Sequence, residues 1–200
     1  LKPFLREAMI PLPVVFVSTV SVDGVRNIAP WSCIMPVLRP LDLICLASAK
    51  KRDTLDNIRT TRQFVVNLPG VDLVDKVIPT AMRSSPETDE FTVANLQEKR
   101  SVAVKPPGIA GCYGWMECEL EEELERRAFV LIVGKVLRLE IDDNVMQADG
   151  SLDLKKARPL MMTGSKTGMH FSTAVCIERF EPFAAMFPDA QDPLAGHYEE

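Results

Sequence analysis

Short apolar runs separated by polar breaks recur along the chain at the spacing of strands. Val14 to Val20 (VVFVSTV) is rich in β-branched residues, and Asp23-Gly24 beyond it suits the tight turn of a hairpin. A second strand is predicted from about Arg26 to Met35 and a third from Leu41 to Ser48. Helical spacing follows over Asp53 to Thr61, and a return strand over Gln63 to Leu68. Val71 to Arg83 predicts a second helix, bent or ended by Pro79. Ser84 to Glu90 reads as a polar loop, and Lys105-Pro106-Pro107-Gly108 as an extended linker before the second half.

Glu117, Glu119, Glu121, Glu123 and Glu125 alternate with Cys118, Leu120, Glu122 and Leu124. A period of two sends the odd-numbered acids to one sheet face. The expectation is a half-buried strand with a wet face, not a metal or catalytic cluster. Ala128 to Ile141 is its natural long partner. Asp142-Asp143-Asn144 and Asp149-Gly150 mark turns without the spacing of an EF-hand loop. Many strands and few helices predict a mainly β barrel or sandwich. The expected organisation is a single domain over residues 1–200 with a C-terminal tail from about residue 183.

One segment conflicts with its own local electrostatics. Lys50, Lys51 and Arg52 stand just before the helix at Asp53 or Thr54, where the helix dipole favours negative charge. An anion there removes the conflict, because unsatisfied N–H groups, cations and the hydroxyls of Ser48 and Thr54 would converge on it. The plain alternative is a solvated basic loop. Asp53 is expected to cap the helix or orient Arg52.

Composition narrows the field. The 200 residues are 46% hydrophobic and 26% charged, a globular balance with room for a substantial core. A formal net charge of −5 argues against broad nucleic-acid or membrane binding, so the basic triplet reads as a local site. No apolar run is long enough for a membrane span, and a cytoplasmic location is expected. Five cysteines without CxxC pairs, three of them in apolar strand-like runs, fit reduced thiols, and two histidines far apart give no support to a His-rich metal site.

Asn27-Ile28-Ala29-Pro30-Trp31-Ser32 places polar groups and an indole in an apolar strand, where a planar heteroaromatic ligand could meet donors; a core Trp is the plainer reading. Thr163-Gly164-Ser165-Lys166-Thr167-Gly168 lacks the Walker spacing and reads as a glycine-containing turn between strands. His170 is expected to be a partly buried strand residue.

In ordered combination these blocks resemble the flavin reductase-like family of FMN-binding split barrels, which includes flavoredoxin-type proteins. The resemblance runs through Asp23-Gly24, Asn27-x-Ala29-Pro30-Trp31-Ser32 and Ser48 with its basic neighbours. It continues in Asp53-Thr54-x-x-Asn57-Ile58, Phe64 to Leu68, Asp89-Glu90-Phe91, Lys105-Pro106-Pro107 and Arg158-Pro159-Leu160, covering roughly residues 13 to 165. Met161-Met162-Thr163-Gly164 departs from the Leu-Gly-Gly-x-x-Tyr-like segment that relatives often carry after Arg-Pro-Leu.

The resemblance implies an antiparallel, Greek-key-like split β-barrel that forms homodimers and holds FMN noncovalently near the interface. Asn27, Pro30, Trp31 and Ser32 would line the isoalloxazine and ribityl region; Ser48, Ala49, Lys51, Arg52 and Thr54 would hold the phosphate. Asn57 would support helix packing, and Ser84 to Glu90 would approach the cofactor. The implied activity is an FMN-dependent oxidoreductase taking electrons from NAD(P)H and passing them to flavin or another acceptor. The alternatives are a flavin-binding electron carrier reduced by a partner protein, and a module that binds a phosphate-bearing ligand without redox chemistry. No acid–base dyad stands out, which suits hydride transfer carried by the cofactor itself.

Overall fold

The main sheet of the computed structural model, which describes residues 8–37, 42–165 and 167–177, has seven strands. In chain order the elements are β1 (Leu12–Pro13), β2 (Val15–Val20), β3 (Arg26–Trp31), β4 (Ile34–Pro36), β5 (Leu43–Ala49), α1 (Asp53–Thr61), β6 (Gln63–Leu68), α2 (Val77–Ala81) and α3 (Glu90–Val93). They continue as β7 (Glu98–Lys99), β8 (Gly108–Ile109), β9 (Gly114–Glu125), β10 (Phe129–Ile141), α4 (Leu154–Ala157), β11 (Leu160–Ser165) and β12 (Gly168–Thr173).

The seven strands run in the order β3-β2-β6-β9-β10-β5-β4, every pair antiparallel. The two edges, β3 and β4, are consecutive in the chain, with only Ser32 and Cys33 between them. Laid flat, the edges of seven strands would be about 29 Å apart. Three chain steps from Trp31 to Ile34 span at most about 11 Å. The sheet therefore curls until its edges meet, and the Cys33 carbonyl accepts a 3.0 Å bond from the Ala47 N–H at the seam. The fold is a mainly β, antiparallel split barrel.

Both faces of the curl are covered, which explains the near-continuous apolar run of β2. Val15 and Val17 join Leu46, Phe64, Val66 and Ile132 in one cluster, closed by Leu55 and Ile58 of α1. Phe16, facing the other way, packs with Ile28, Val65, Phe91, Ile109 and Leu160. Each such fully buried side chain contributes about 1.5–3 kcal/mol. A smaller sheet, β1-β11-β12, adds Met162 and Phe171 to the second cluster.

Several expectations are corrected. The strand expected over Arg26 to Met35 is two strands, because the seam at Ser32 sends β3 and β4 to opposite edges. The helix expected over Val71 to Arg83 is a 3-10 stretch over Val71–Lys76 followed by the short α2. Lys105 to Gly108 is no linker: Pro106, Pro107 and Gly108 are buried, and Ser18 Oγ donates to the Pro107 carbonyl at 2.6 Å. The Leu41 start of the third strand, His197 and the tail from about residue 183 lie outside the described residues.

The acidic alternation holds only in part. Register shifts between Val133 and Gly134 leave Glu121 bulged, which exchanges the faces of the residues beyond it. Glu123 and Glu125 thereby come to the side of α1, where both pair with Arg59. Glu117 is 4% exposed instead of wet. Its carboxylate accepts the backbone N–H groups of Val102, Ala103 and Val104, clamping the 102–104 segment to β9.

Candidate functional site

A cleft of about 820 Å³ opens along the seam where the barrel edges meet. Its floor is β3 and the Ser32-Cys33 link, every residue from Asn27 to Cys33 lining it. Consecutive lining along an edge strand means that a ligand would lie against backbone as well as side chains, on an edge that no other described strand pairs. One wall is Ala49 to Thr54, the other Thr80 to Ser84 with Pro86, and Glu90 stands between.

The basic wall follows from a helix that lacks its own cap. Arg52 is the N-cap of α1, in extended conformation (φ −142°, ψ 131°), and among the described residues no side chain closes the helix end. Asp53 is the first helical residue rather than the cap, so the expected capping role is corrected. The first N–H groups of α1 thus keep their capacity for an anion. Lys50 is diverted from that role: its Nζ lies 2.5 Å from Glu125 Oε1, and the pairing holds the Glu125 carboxyl below the ordinary range. Lys51 and Arg52 have no acidic partner among the described residues, and both are exposed at the cleft. Asp53 and Asp56 line it too, and their position in the first turn suits the helix dipole.

A buried polar network ties the walls to the floor. Asn27 Oδ1 accepts from Thr54 Oγ1 at 2.9 Å and from Thr19 Oγ1 at 3.2 Å; its Nδ2 donates to Glu90 Oε2 at 3.1 Å. Ser84 Oγ donates to Glu90 Oε1 at 2.7 Å, and Asn57 Nδ2 donates to Thr19 Oγ1 at 3.0 Å. Glu90 is 4% exposed and has hydrogen-bond donors but no cationic partner among the described residues. Asp89 beside it caps α3 through the Phe91 N–H and pairs with Arg26.

Eight of the nine site residues proposed from the sequence line this cleft: Asn27, Pro30, Trp31, Ser32, Ala49, Lys51, Arg52 and Thr54. Ser48 does not. It alternates to the buried face of β5, and its hydroxyl donates to the Ala49 carbonyl at 2.9 Å. Thr54 is buried with its hydroxyl committed to Asn27, so what it offers an anion is its backbone N–H. Trp31 is buried, yet among the described residues its indole Nε1 has no hydrogen-bond partner. Buried indole donors are normally paired, so this one is an exception, carried by a residue that lines the cleft.

Of the Ser84 to Glu90 loop expected at the site, Ser84, Pro86 and Glu90 line the cleft; sequence reasoning missed Thr80 to Arg83. Nothing in the Thr80-Ala81-Met82-Arg83 segment marks it as a site; only its packing against β3 brings it there. The Asp89 cap, an acid ahead of Phe91 and Thr92, is the one signal that could have placed Glu90 in a helix start. Two other candidates fall away. Thr163 to Ser165 end β11 and Gly168 opens β12, with Ser165 paired to Gly168, and His170 is exposed on β12 rather than partly buried.

A curled antiparallel sheet, an uncapped helix start and an edge strand flooring one cleft together define the frame of the site. The flavin reductase like domain model matches residues 6–168, and the chain belongs to the flavin reductase-like family. An uncharacterised protein of Methanothermobacter thermautotrophicus is 57% identical over 205 residues, covering 100% of this chain and 97% of that protein. Nitrilotriacetate monooxygenase component B from Bacillus cereus has 26% identity and a TM-score of 0.77, covering 88% of this chain and 89% of its own. A Shewanella frigidimarina protein assigned as a flavin reductase with a split barrel domain shares the fold, with a TM-score of 0.82 at 17% identity over 90% of each chain. Among the described residues no helix is long and apolar enough to cross a membrane.

Proposed function

We propose that the protein is an FMN-dependent oxidoreductase that takes electrons from NADH or NADPH and passes them to free flavin or another acceptor. The observation that carries this reading is the convergence on one cleft of the uncapped α1 start, the unpaired Lys51 and Arg52, and the orphaned Trp31 Nε1. The residues fit the cofactor. Lys51, Arg52 and the first N–H groups of α1 would hold the phosphate. Asn27, Pro30, Trp31 and Ser32 would line the ring and ribityl chain, the indole N–H donating to a ring or ribityl oxygen.

A bound flavin supplies two-electron redox chemistry; the protein's part is binding, orientation and exclusion of water. The Asn27 network holds the floor and both walls in register, so the groups that meet the ligand are positioned before it arrives. A homodimer belongs to the same proposal, on the strength of the family resemblance alone.

The test is anaerobic addition of NADH, then NADPH, to the FMN-loaded protein. Bleaching of the flavin's visible absorbance supports the oxidoreductase. Flavin that binds but is reduced only by a protein partner makes the chain an electron carrier instead. Failure to take up FMN removes both readings.

A further inference from the structure

Glu90 stands between the two walls of the cleft, 4% exposed, and among the described residues no cation lies within ion-pair distance of it. Hydrogen bonds fix its charge state. Asn57 Nδ2 donates to Thr19 Oγ1, so the Thr19 hydroxyl proton goes to Asn27 Oδ1, which also accepts from Thr54 Oγ1. With its oxygen taken twice, the Asn27 amide turns its NH2 toward Glu90 and donates to Oε2 at 3.1 Å. Ser84 Oγ donates to Oε1 at 2.7 Å. Both Glu90 oxygens therefore accept, the pattern of an ionised carboxylate, and a chain of donors polarised toward it supports the charge. The other charges at the cleft differ. Asp89 is paired with Arg26; Asp56 is exposed and Asp53 half-buried in the first turn of α1, beside Lys51 and Arg52. Lys51, Arg52 and Arg83 are exposed, so water and salt screen them. Among the described residues, Glu90 is the one buried charge that lines the cleft.

A fixed charge in that place acts on electron transfer. A hydride brings two electrons and one proton, so a flavin that accepts one gains a negative charge. At an effective dielectric of about 20, a unit charge about 10 Å away changes an equilibrium constant roughly 15-fold. We infer that the Glu90 carboxylate holds down the reduction potential of flavin bound in the cleft, so that oxidised FMN is bound more tightly than reduced FMN. This rests on the FMN-binding part of the oxidoreductase reading and adds to it the residue that sets the driving force. Glu90 does so through space and need not touch the ring. Burying a carboxylate without a cation is unfavourable. The site meets this with neutral donors, which stabilise the carboxylate and leave its net charge in place.

The test measures the midpoint potential of bound FMN by anaerobic dithionite titration against a reference dye, above neutral pH, for the wild type, Glu90→Gln and Glu90→Asp. Glu90→Gln is expected to tighten reduced FMN about 10-fold relative to oxidised FMN, which raises the two-electron potential by about 30 mV. Glu90→Asp keeps the charge and is expected to stay near the wild-type potential. A merely structural role would loosen both redox forms alike and leave the potential unmoved. The difference between wild type and Glu90→Gln is expected to persist at high salt, because a buried charge is poorly screened. An unchanged or lowered potential in Glu90→Gln overturns the inference, as does a shift abolished by salt or a Glu90→Asp potential equal to that of Glu90→Gln. Should Glu90→Gln not fold, the wild type decides: tighter binding of oxidised FMN upholds the inference, and equal or tighter binding of reduced FMN overturns it. Absence of flavin binding by the wild type defeats the oxidoreductase reading itself, a separate and distinguishable failure.

Discussion

Thr54 Oγ1 donates a 2.9 Å hydrogen bond to Asn27 Oδ1, joining the first turn of α1 to the strand that floors the cleft. The same amide meets Glu90 through its nitrogen, so one side chain fixes the relative placement of both walls. Asn27→Ala leaves Thr54, Thr19 and Glu90 without this partner in a buried setting. An unsatisfied buried group costs about 1–3 kcal/mol, so loss of stability in that range or above is expected in urea denaturation. Asn27→Asp is expected to be worse at neutral pH, since it sets a second carboxylate against Glu90. Thr54→Val, which keeps the helix-start N–H, is expected to cost stability while leaving most of the FMN affinity.

The three neighbouring cations are expected to behave differently. Lys51→Ala and Arg52→Ala each remove a charge-assisted contact, worth about 10–100-fold in FMN affinity. Lys50→Ala breaks the pair with Glu125 and is expected to leave FMN affinity within about 3-fold of wild type. Equilibrium titration of the three variants with FMN checks this; a loss in Lys50→Ala as large as in the other two contradicts the assignment.

Gly134 is required by packing. A Cβ there would run into the ring of Phe64, which is fully buried. Gly134→Ala is therefore expected to destabilise the fold by about 1–3 kcal/mol, with partial recovery when combined with Phe64→Leu, as measured by thermal or urea unfolding.

Cys33 lines the cleft and is exposed, whereas Cys112 and Cys118 are buried. Saturating FMN is expected to slow alkylation of Cys33, read by mass spectrometry of the modified peptide. Cys112 and Cys118 are expected to react only on unfolding. Burial raises both of their thiols above the ordinary range and pushes Tyr113 up to about 12 from 10.0. Groups whose native pKa is raised favour the fold fully below their unfolded pKa and lose that contribution as pH rises through the native value. Stability is thus expected to fall as pH climbs beyond the ordinary thiol value of 9.0 and further between 10.0 and about 12, with no matching loss from these groups on the acid side.

Strands were legible wherever one hydrophobic run met one turn signal. Asp23-Gly24 and the β-branched residues of β2 announced the first hairpin, and α1 begins and ends where its spacing said. What periodicity cannot show is register. The bulge at Glu121 turned an apparently wet acidic face toward α1, and the Ser32-Cys33 seam divided one apparent strand between two sheet edges. The basic wall of the cleft was readable because it breaks an electrostatic rule locally. Of the second wall, Ser84, Pro86 and Glu90 fall in the loop expected there, whereas Thr80 to Arg83 carry no local signal and reach the cleft through packing of α2 against β3. Ser48 was misplaced for a simple reason: strand alternation sends it inward while Ala49 faces the cleft.

The most direct test of the account is a titration of flavin-free protein with FMN, followed by the flavin's visible spectrum and by tryptophan fluorescence, with Trp31→Phe alongside. The account predicts saturable uptake of one FMN per chain, quenching of the wild-type indole signal, and weaker binding in Trp31→Phe through loss of its single N–H donor. Failure of FMN to bind, or binding indifferent to Trp31, Lys51 and Arg52 alike, would contradict it.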